Sequence, residues 1–166
     1  MIFLGLGSNL PGPRHAAPRE VCEAAVALLD KEGLTLRRRS SWYASAPVPP
    51  SDQPWFVNGL VAVETEQTPE EVLDRLHAVE AALGRQRSGT RNEARVLDLD
   101  IIDFDGLIRP APARPELPHP RLAGRAFVLM PLAEIAPAWR HPVTGQTIAE
   151  LIEALPPDSQ CRRLDG

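Results

Sequence analysis

Two carboxylates, Asp98 and Asp100, lie two residues apart within the apolar run 97–102. Such a run, closed by a turn former at Gly106, predicts a β-strand. Side chains alternate along a strand, so both carboxylates share one face, about 6.6 Å apart. Their repulsion costs about 2–3 kcal/mol at an effective dielectric of about 20. A bound cation would offset it, and oxygen donors without His or Cys favour Mg²⁺, usually completed by substrate phosphates. The alternative is that the two carboxylates lie on a solvent-exposed face of the sheet and bind no ligand.

Arginines cluster just before this strand, at positions 85, 87, 91 and 95. Surface ion pairs of this kind contribute about 0–1 kcal/mol each. Guanidinium groups also grip phosphate oxygens bidentately, so the same residues could neutralise a polyphosphate beside Mg²⁺. The sequence around the acidic strand leaves both interpretations open.

The remaining chain predicts the elements that must position these residues. The pattern of apolar residues and turn formers indicates a first strand at 1–7, a helix at 17–31, strands at 34–45 and 55–65, and a helix from a Thr68 capping box to Leu83. With the acidic strand, the order is β-α-β-β-α-β, which is typical of a ferredoxin-like α+β sandwich. Two further helices are expected near 121–134 and 147–154.

The predicted sandwich has its helices on one face of the sheet. Leu97, Leu99 and Ile101 then face the helices, and Asp98 and Asp100 lie on the open face. The proline-rich segment 46–54 and the polar segment 85–94 are expected to fold over that open face, where loops commonly carry function.

Composition narrows the class of protein. A chain of 166 residues with 43% hydrophobic and 24% charged residues is expected to form one domain over 1–166. The net charge of −4 argues against binding duplex nucleic acid. No signal peptide or membrane span is expected. Cys22 and Cys161 are expected to be free thiols in a reducing cytosol, with Cys22 buried on the first helix.

Common phosphate and nucleophile motifs are missing from the sequence. There is no P-loop, and Gly5-Leu6-Gly7 lacks the third glycine of a dinucleotide fingerprint, so tight packing is its favoured interpretation. Four scattered histidines support no catalytic triad. His119 is held between two prolines after the acidic strand, although a lone loop histidine is more often structural.

A set of short motifs occurs in a specific order. It comprises Gly-Ser-Asn at 7–9, Ser-Ser-Trp-Tyr at 40–43, Asp-Gln-Pro-Trp-Phe-Val-Asn at 52–58, Glu80 with Gly-Arg-Gln-Arg at 84–87, Arg95 with Asp-Leu-Asp-Ile at 98–101, Pro-His-Pro-Arg at 118–121, Gly-Arg-Ala-Phe-Val-Leu at 124–129 and Pro-Leu at 131–132. In this order the chain resembles the 6-hydroxymethyl-7,8-dihydropterin pyrophosphokinases of folate biosynthesis, over about residues 1–137. Asn92 and Glu93-Ala94 depart from the family pattern, where many members have Trp and Gly-Pro.

The resemblance implies a ferredoxin-like fold and transfer of pyrophosphate from ATP to the pterin hydroxymethyl group, with release of AMP. It implies two Mg²⁺ ions on Asp98 and Asp100, and Arg85 and Arg95 as catalytic guanidiniums. The residues implied to contact ATP are His77, Glu80, Arg87, Arg95, Ile101, Arg114, His119 and Arg125. Those implied to contact the pterin are Ser45, Val48, Phe56, Asn58, Asp98 and Phe127, with the two phenylalanines on either side of the ring. Small molecules are the expected partners of a cytoplasmic monomer, without nucleic acid or membrane.

Two rival functions remain at this point. A ferredoxin-like module could bind nucleotide or metal without turnover, and a metal-dependent nucleotidyltransferase or phosphohydrolase could also use paired Asp. Without the resemblance, Phe56 and Phe127 would be taken as ordinary core, and Asn58 as a plain polar strand residue. AMP formed only in the presence of the pterin alcohol would separate the three functions.

Overall fold

The structure is a computed structural model that describes residues 1–85 and 94–165. Its elements are β1 (Ile2–Ser8), α1 (Pro18–Lys31), β2 (Thr35–Arg39), β3 (Tyr43–Ser45), β4 (Phe56–Glu64), α2 (Pro69–Ala82), β5 (Asp98–Phe104), α3 (Ala126–Ile135), α4 (Ile148–Glu153) and β6 (Cys161–Arg163), with a 3₁₀ turn at Leu122–Gly124. Within the described ranges, every helix is too short or too polar to span a bilayer. Cys22 is a buried free thiol and Cys161 a partly buried one, as predicted for both.

The six strands form one antiparallel sheet with the order β5-β1-β4-β3-β6, and β2 also pairs with β4. The prediction of one strand over 34–45 is wrong, because the chain breaks between β2 and β3. At the break, Ser40 Oγ accepts a hydrogen bond from the Leu60 N–H at 2.9 Å. Trp42 then lies so close to Gly59 that a Cβ there would be 2.6 Å from the indole ring.

Helix α2 begins where the sequence predicts. Thr68 Oγ1 accepts from the Glu71 N–H at 3.2 Å, and Glu71 Oε1 accepts from the Thr68 N–H at 3.4 Å. This capping box satisfies two backbone donors that the first turn leaves without partners. The helix then carries His77 and Glu80 toward β5, against which it packs.

Helices cover both faces of the sheet, which corrects the prediction that they lie on one face only. On the first face, Leu97, Leu99 and Ile101 pack with α1 and α2 in the larger core, as predicted. On the second face, α3 and α4 cover a smaller core that includes Phe3 and Ile102. The expected helix over 121–134 is a 3₁₀ turn followed by α3, and β6 was not predicted. Because α3 and α4 cover only part of the second face, both carboxylates remain partly exposed.

A register shift interrupts the pairing of β1 with β5. Gly7 pairs with Asp98 and Gly5 with Asp100, but the pairing then jumps from Leu4 with Ile101 to Phe3 with Asp103. Ile102 is therefore the extra residue of a β-bulge. Both Ile102 and Asp103 contact the second face: Ile102 joins the smaller core, and Asp103 accepts a hydrogen bond from Trp139 Nε1 at 2.8 Å.

Candidate active site

Arg85 is held beside the acidic strand by two carboxylates, those of the buried Glu80 and of Asp98. Arg85 Nη1 donates to Glu80 Oε2 at 2.6 Å and to Asp98 Oδ1 at 2.9 Å. Glu80 Oε2 also accepts from the Leu99 N–H at 2.8 Å, which ties α2 to β5. Burial alone would lower the pKa of Arg85, but the charges of Glu80 and Asp98 raise it. Arg85 is thus a fixed, fully charged group beside the acidic strand.

Arg95 contacts the other oxygen of the same carboxylate. Its Nη1 lies 3.2 Å from Asp98 Oδ2, so two arginines grip one aspartate. The backbone of Arg95 pairs with Asn9, as the Asn9 N–H donates to Arg95 O at 3.1 Å and the Arg95 N–H donates to Asn9 Oδ1 at 2.8 Å. This contact was not predicted, although Asn9 ends the Gly-Ser-Asn motif.

Asp100 is the carboxylate that most needs a cation. Burial, with the neighbouring Asp98 carboxylate, raises the pKa of Asp100 to about 7, and Arg125 and Arg95 only partly oppose this. In residues 1–85 and 94–165 no group of three or more His, Cys, Asp or Glu could hold a metal ion. A cation on this strand would therefore rely on the aspartate pair and on oxygens from water or a ligand, which is the usual coordination of Mg²⁺.

A first cavity of about 490 Å³ opens on one side of the carboxylates. It is lined by all six residues expected to contact the pterin, Ser45, Val48, Phe56, Asn58, Asp98 and Phe127, together with Arg95, Asp100 and Arg125. Gly5 and Gly7 also line it, and a Cβ on Gly7 would lie 2.9 Å from Asn58 Nδ2. These glycines therefore allow close packing, as predicted, and keep side chains out of the cavity wall.

A second cavity of about 540 Å³ lies on the other side of the strand. His77, Ile101, Arg114 and His119 line it, together with Asp100. Burial, with Arg125 nearby, lowers the pKa of His119 to about 4, so the ring is neutral. Its Nδ1 accepts from the Arg121 N–H at 3.1 Å, and Nε2 therefore carries the ring proton as a donor.

Glu80 and Arg125, two of the residues predicted to contact ATP, do not line the second cavity. Glu80 is only 2% exposed, lines neither cavity and bonds to Arg85 and to the Leu99 N–H, so its contact with ATP stays a prediction. Arg125 lines the first cavity rather than the second, with its guanidinium 5.3 Å from the centre of the Phe127 ring. Arg87 lies outside the described residues.

Comparison with known proteins gives a family for this arrangement. The model of the 7,8-dihydro-6-hydroxymethylpterin-pyrophosphokinase (HPPK) family matches residues 3–137. The chain belongs to this family. Among its relatives, the 2-amino-4-hydroxy-6-hydroxymethyldihydropteridine pyrophosphokinase of Pseudomonas aeruginosa is 42% identical over 156 residues, which cover 93% of this chain and 91% of that protein. The protein of the same name from Methylorubrum extorquens is 39% identical over 155 residues, which cover 93% of both chains.

Solved structures of HPPK proteins share the fold. Wild-type Plasmodium falciparum HPPK-DHPS matches with a TM-score of 0.69 at 14% identity, covering 92% of the present HPPK chain. The HPPK chain spans only 42% of that longer protein. At this low identity the comparison supports the mixed α/β fold and its antiparallel sheet.

Proposed function

We propose that the protein transfers pyrophosphate from ATP to the hydroxymethyl group of 6-hydroxymethyl-7,8-dihydropterin, releasing AMP in folate biosynthesis. The observation that carries the proposal is the position of Asp100, which lines both cavities. Two substrates bound on either side of one carboxylate pair would meet there. Family membership and the names of the relatives support the same reaction.

The first cavity suits a flat heterocycle that has a polar edge. Phe56 and Phe127 offer two aromatic walls, each worth about 0.5–1.5 kcal/mol beyond area burial. Ser45 Oγ–H donates to Asn58 Oδ1, which fixes the amide and presents its NH₂ side as a donor. A ring lacking the matching acceptor would leave a buried polar group unpaired, at about 1–3 kcal/mol. The pterin alcohol is therefore the proposed occupant of this cavity.

The second cavity suits ATP, with neutral His119 as a hydrogen-bond donor and His77, Ile101 and Arg114 along its wall. Arg85 and Arg95 would bind and orient the phosphates, since phosphoryl transfer depends mainly on positioning and charge neutralisation. Asp98 and Asp100 fit Mg²⁺ as oxygen ligands, and Mg²⁺ bound there would neutralise phosphate charge. Glu80 is a positioning residue that acts through Arg85.

Several finer assignments belong to the same proposal. They are two Mg²⁺ ions rather than one, a contribution of Arg87 to nucleotide binding, a monomer acting as one domain over 1–166, small molecules as the partners, and a cytoplasmic location. The ferredoxin-like assignment is also proposed, with β2 and β3 together taking the place of one strand beside β4. The strand order around β1 and β4 supports it.

Product analysis tests the function directly. With ATP, Mg²⁺ and the pterin alcohol, we expect AMP and pterin pyrophosphate in equal amounts, and no AMP when the alcohol is omitted or Mg²⁺ is chelated. AMP or ADP formed without the alcohol would instead indicate a hydrolase. Ligand binding without any product would indicate a binding module.

A matched pair of variants connects the activity to the acidic strand. We expect Asp100→Ala to abolish turnover with the fold retained, since the phosphates lose the cation ligand between the two cavities. Glu64→Ala, which removes an exposed strand carboxylate paired with Arg37, should retain full activity. A fully active Asp100→Ala protein would refute the metal assignment.

A further inference from the structure

Asn9 is a buried polar residue outside both cavities, yet it contacts two parts of the site. It is only 2% exposed. Its Nδ2 donates to Gln53 Oε1 and to Pro54 O, both at 3.1 Å. Its Oδ1 accepts from the Arg95 N–H at 2.8 Å. One amide therefore joins the loop before β4 to the chain that leads into β5.

The segments it joins belong to the site itself. Gln53 lines the first cavity, as does Arg95. Arg95 also contacts Asp98 through its guanidinium. A displacement of the Gln53 loop would therefore reach Arg95 through a single side chain, without passing through the core.

The residues that follow Asn9 also pack against the chain next to Arg85 and Arg95. A Cβ on Gly12 would lie 3.3 Å from Leu83 O and 3.4 Å from Val96 Cγ1. A Cβ on Gly84 would lie 2.5 Å from Pro13 Cδ. Segment 9–13 thus packs against the chain both before Arg85 and after Arg95, and gives Asn9 a fixed base.

We infer that Asn9 is a positioning residue that couples the Gln53 wall of the first cavity to Arg95, so that pterin binding and the placement of Arg95 depend on each other. This inference rests on the proposed function. Only an amide supplies one acceptor and two donors at one side-chain end. The backbone bond from the Asn9 N–H to Arg95 O persists in any variant other than proline, so the segment remains attached.

The variant Asn9→Asp tests the hydrogen bonds to Gln53 and Pro54 separately from the hydrogen bond to the Arg95 N–H. It keeps an oxygen for the Arg95 N–H and replaces the donor to Gln53 and Pro54 by an oxygen that repels both acceptors. We expect the KM for the pterin alcohol to rise about tenfold or more, with kcat and the affinity for an ATP analogue changed less than about threefold, since a lost buried hydrogen bond costs that order of free energy. Asn9→Ala, which also removes the acceptor, should lower kcat as well.

Asp103→Asn is the matched control. Asp103 is 4% exposed and accepts from Trp139 Nε1, but it lines neither cavity. It should lower the unfolding midpoint and leave the pterin KM unchanged. If Asn9→Asp changes only the unfolding midpoint, as the control does, Asn9 is merely structural and the inference fails.

A double-mutant cycle with Gln53→Ala tests the coupling itself. We expect Gln53→Ala to raise the pterin KM in the wild-type background and to have little further effect in Asn9→Asp. Effects that simply multiply would overturn the inference, because independent sites are additive in free energy.

Amide hydrogen exchange in the ligand-free protein gives a measurement that needs no activity. Gln53→Ala should speed exchange of the Arg95 amide about threefold or more, and Asp103→Asn should not. An unchanged Arg95 amide would overturn the inference while the pyrophosphokinase assignment stands. Wild-type protein that makes no pterin-dependent AMP would overturn that assignment, and the exchange result would still report on the link.

Discussion

Glu80→Gln is the most informative single change, because Glu80 connects the stability of the molecule to the placement of Arg85, the arginine proposed to act in catalysis. The Glu80 side chain is 2% exposed and that of Arg85 is 12% exposed. Removing one partner of a buried ion pair costs about 3–5 kcal/mol. Arg85 retains Asp98, and glutamine retains an oxygen for the Leu99 N–H, so we expect the lower end of that range, about 3 kcal/mol.

Urea unfolding followed by circular dichroism measures this loss. With an m-value of about 2 kcal/mol/M, the midpoint should fall by about 1.5 M. The control is Glu70→Gln on the same helix, where an exposed carboxylate pairs with both Nη atoms of Arg109. Its midpoint should hardly move, because exposed ion pairs contribute little. Equal shifts for the two variants would refute the claim that the buried Glu80–Arg85 pair contributes more.

Steady-state kinetics of the same Glu80→Gln protein tests the positioning role. A misplaced Arg85 should lower kcat about a hundredfold. The KM for ATP should change much less, because His119 and Arg114 on the second cavity wall are untouched. Arg85→Ala should also lower the rate more than the affinity for ATP. A Glu80→Gln enzyme with normal kcat and reduced stability would confine Glu80 to a structural role.

Three further outcomes are expected elsewhere in the molecule. Arg95→Ala should lower kcat about a hundredfold or more with a smaller change in ATP affinity, and an unchanged rate would remove it from catalysis. Gly59→Ala should lower the free energy of unfolding by about 1–3 kcal/mol in urea titrations, since its Cβ would lie 2.6 Å from the Trp42 ring; wild-type stability would contradict that contact. Burial would raise the pKa of Glu23, but hydrogen bonds from Trp42 and Arg39 lower this pKa on balance. The ionised Glu23 therefore stabilises the fold at a pH above the pKa of Glu23 in the unfolded chain. This stabilisation is lost as pH falls through the pKa of Glu23 in the folded protein. Glu23→Gln should therefore be less stable than wild type near pH 7 and equally stable near pH 2, and a pH-independent difference would count against this assignment.

Local signals in the sequence were sufficient for most of the elements. The capping box at Thr68 and the stop at Gly84 closely bracket the observed helix α2, Pro69–Ala82. The alternation of Leu97, Leu99 and Ile101 with the aspartates gives the correct face for each side chain of β5, because a strand has a period of two.

Features that depend on distant partners were not predictable in the same way. The break between β2 and β3 depends on a hydrogen bond that Ser40 Oγ accepts from the N–H of Leu60, which lies on another strand. The apolar pattern of the chain after residue 121 indicates helices, but it does not say which face of the sheet they cover. Folding brings α3 and α4 onto the second face, and this limits the open area around the aspartates.

The candidate site likewise has some features that the sequence predicts and others that depend on distant partners. Residue types and the family resemblance point to the residues that line the two cavities. Burial of Glu80 against Arg85 and Leu99, and the bridging bonds of Asn9, join residues that are up to 86 positions apart in the chain. Such contacts leave no periodic trace in the sequence, so only the folded molecule reveals them.

The bulge at Ile102 has a consequence for how the gene can change. It lets Asp98, Asp100 and Asp103 all avoid the larger core despite their uneven spacing. Loss of the Ile102 codon would remove the bulge and leave the three aspartates on one face in regular alternation. Loss of the Leu99 codon would instead make Asp98 and Asp100 direct neighbours on opposite faces and send one of them into the larger core. A frame-preserving deletion at Ile102 should therefore be tolerated better than one at Leu99, because only the second separates the faces of the two site aspartates.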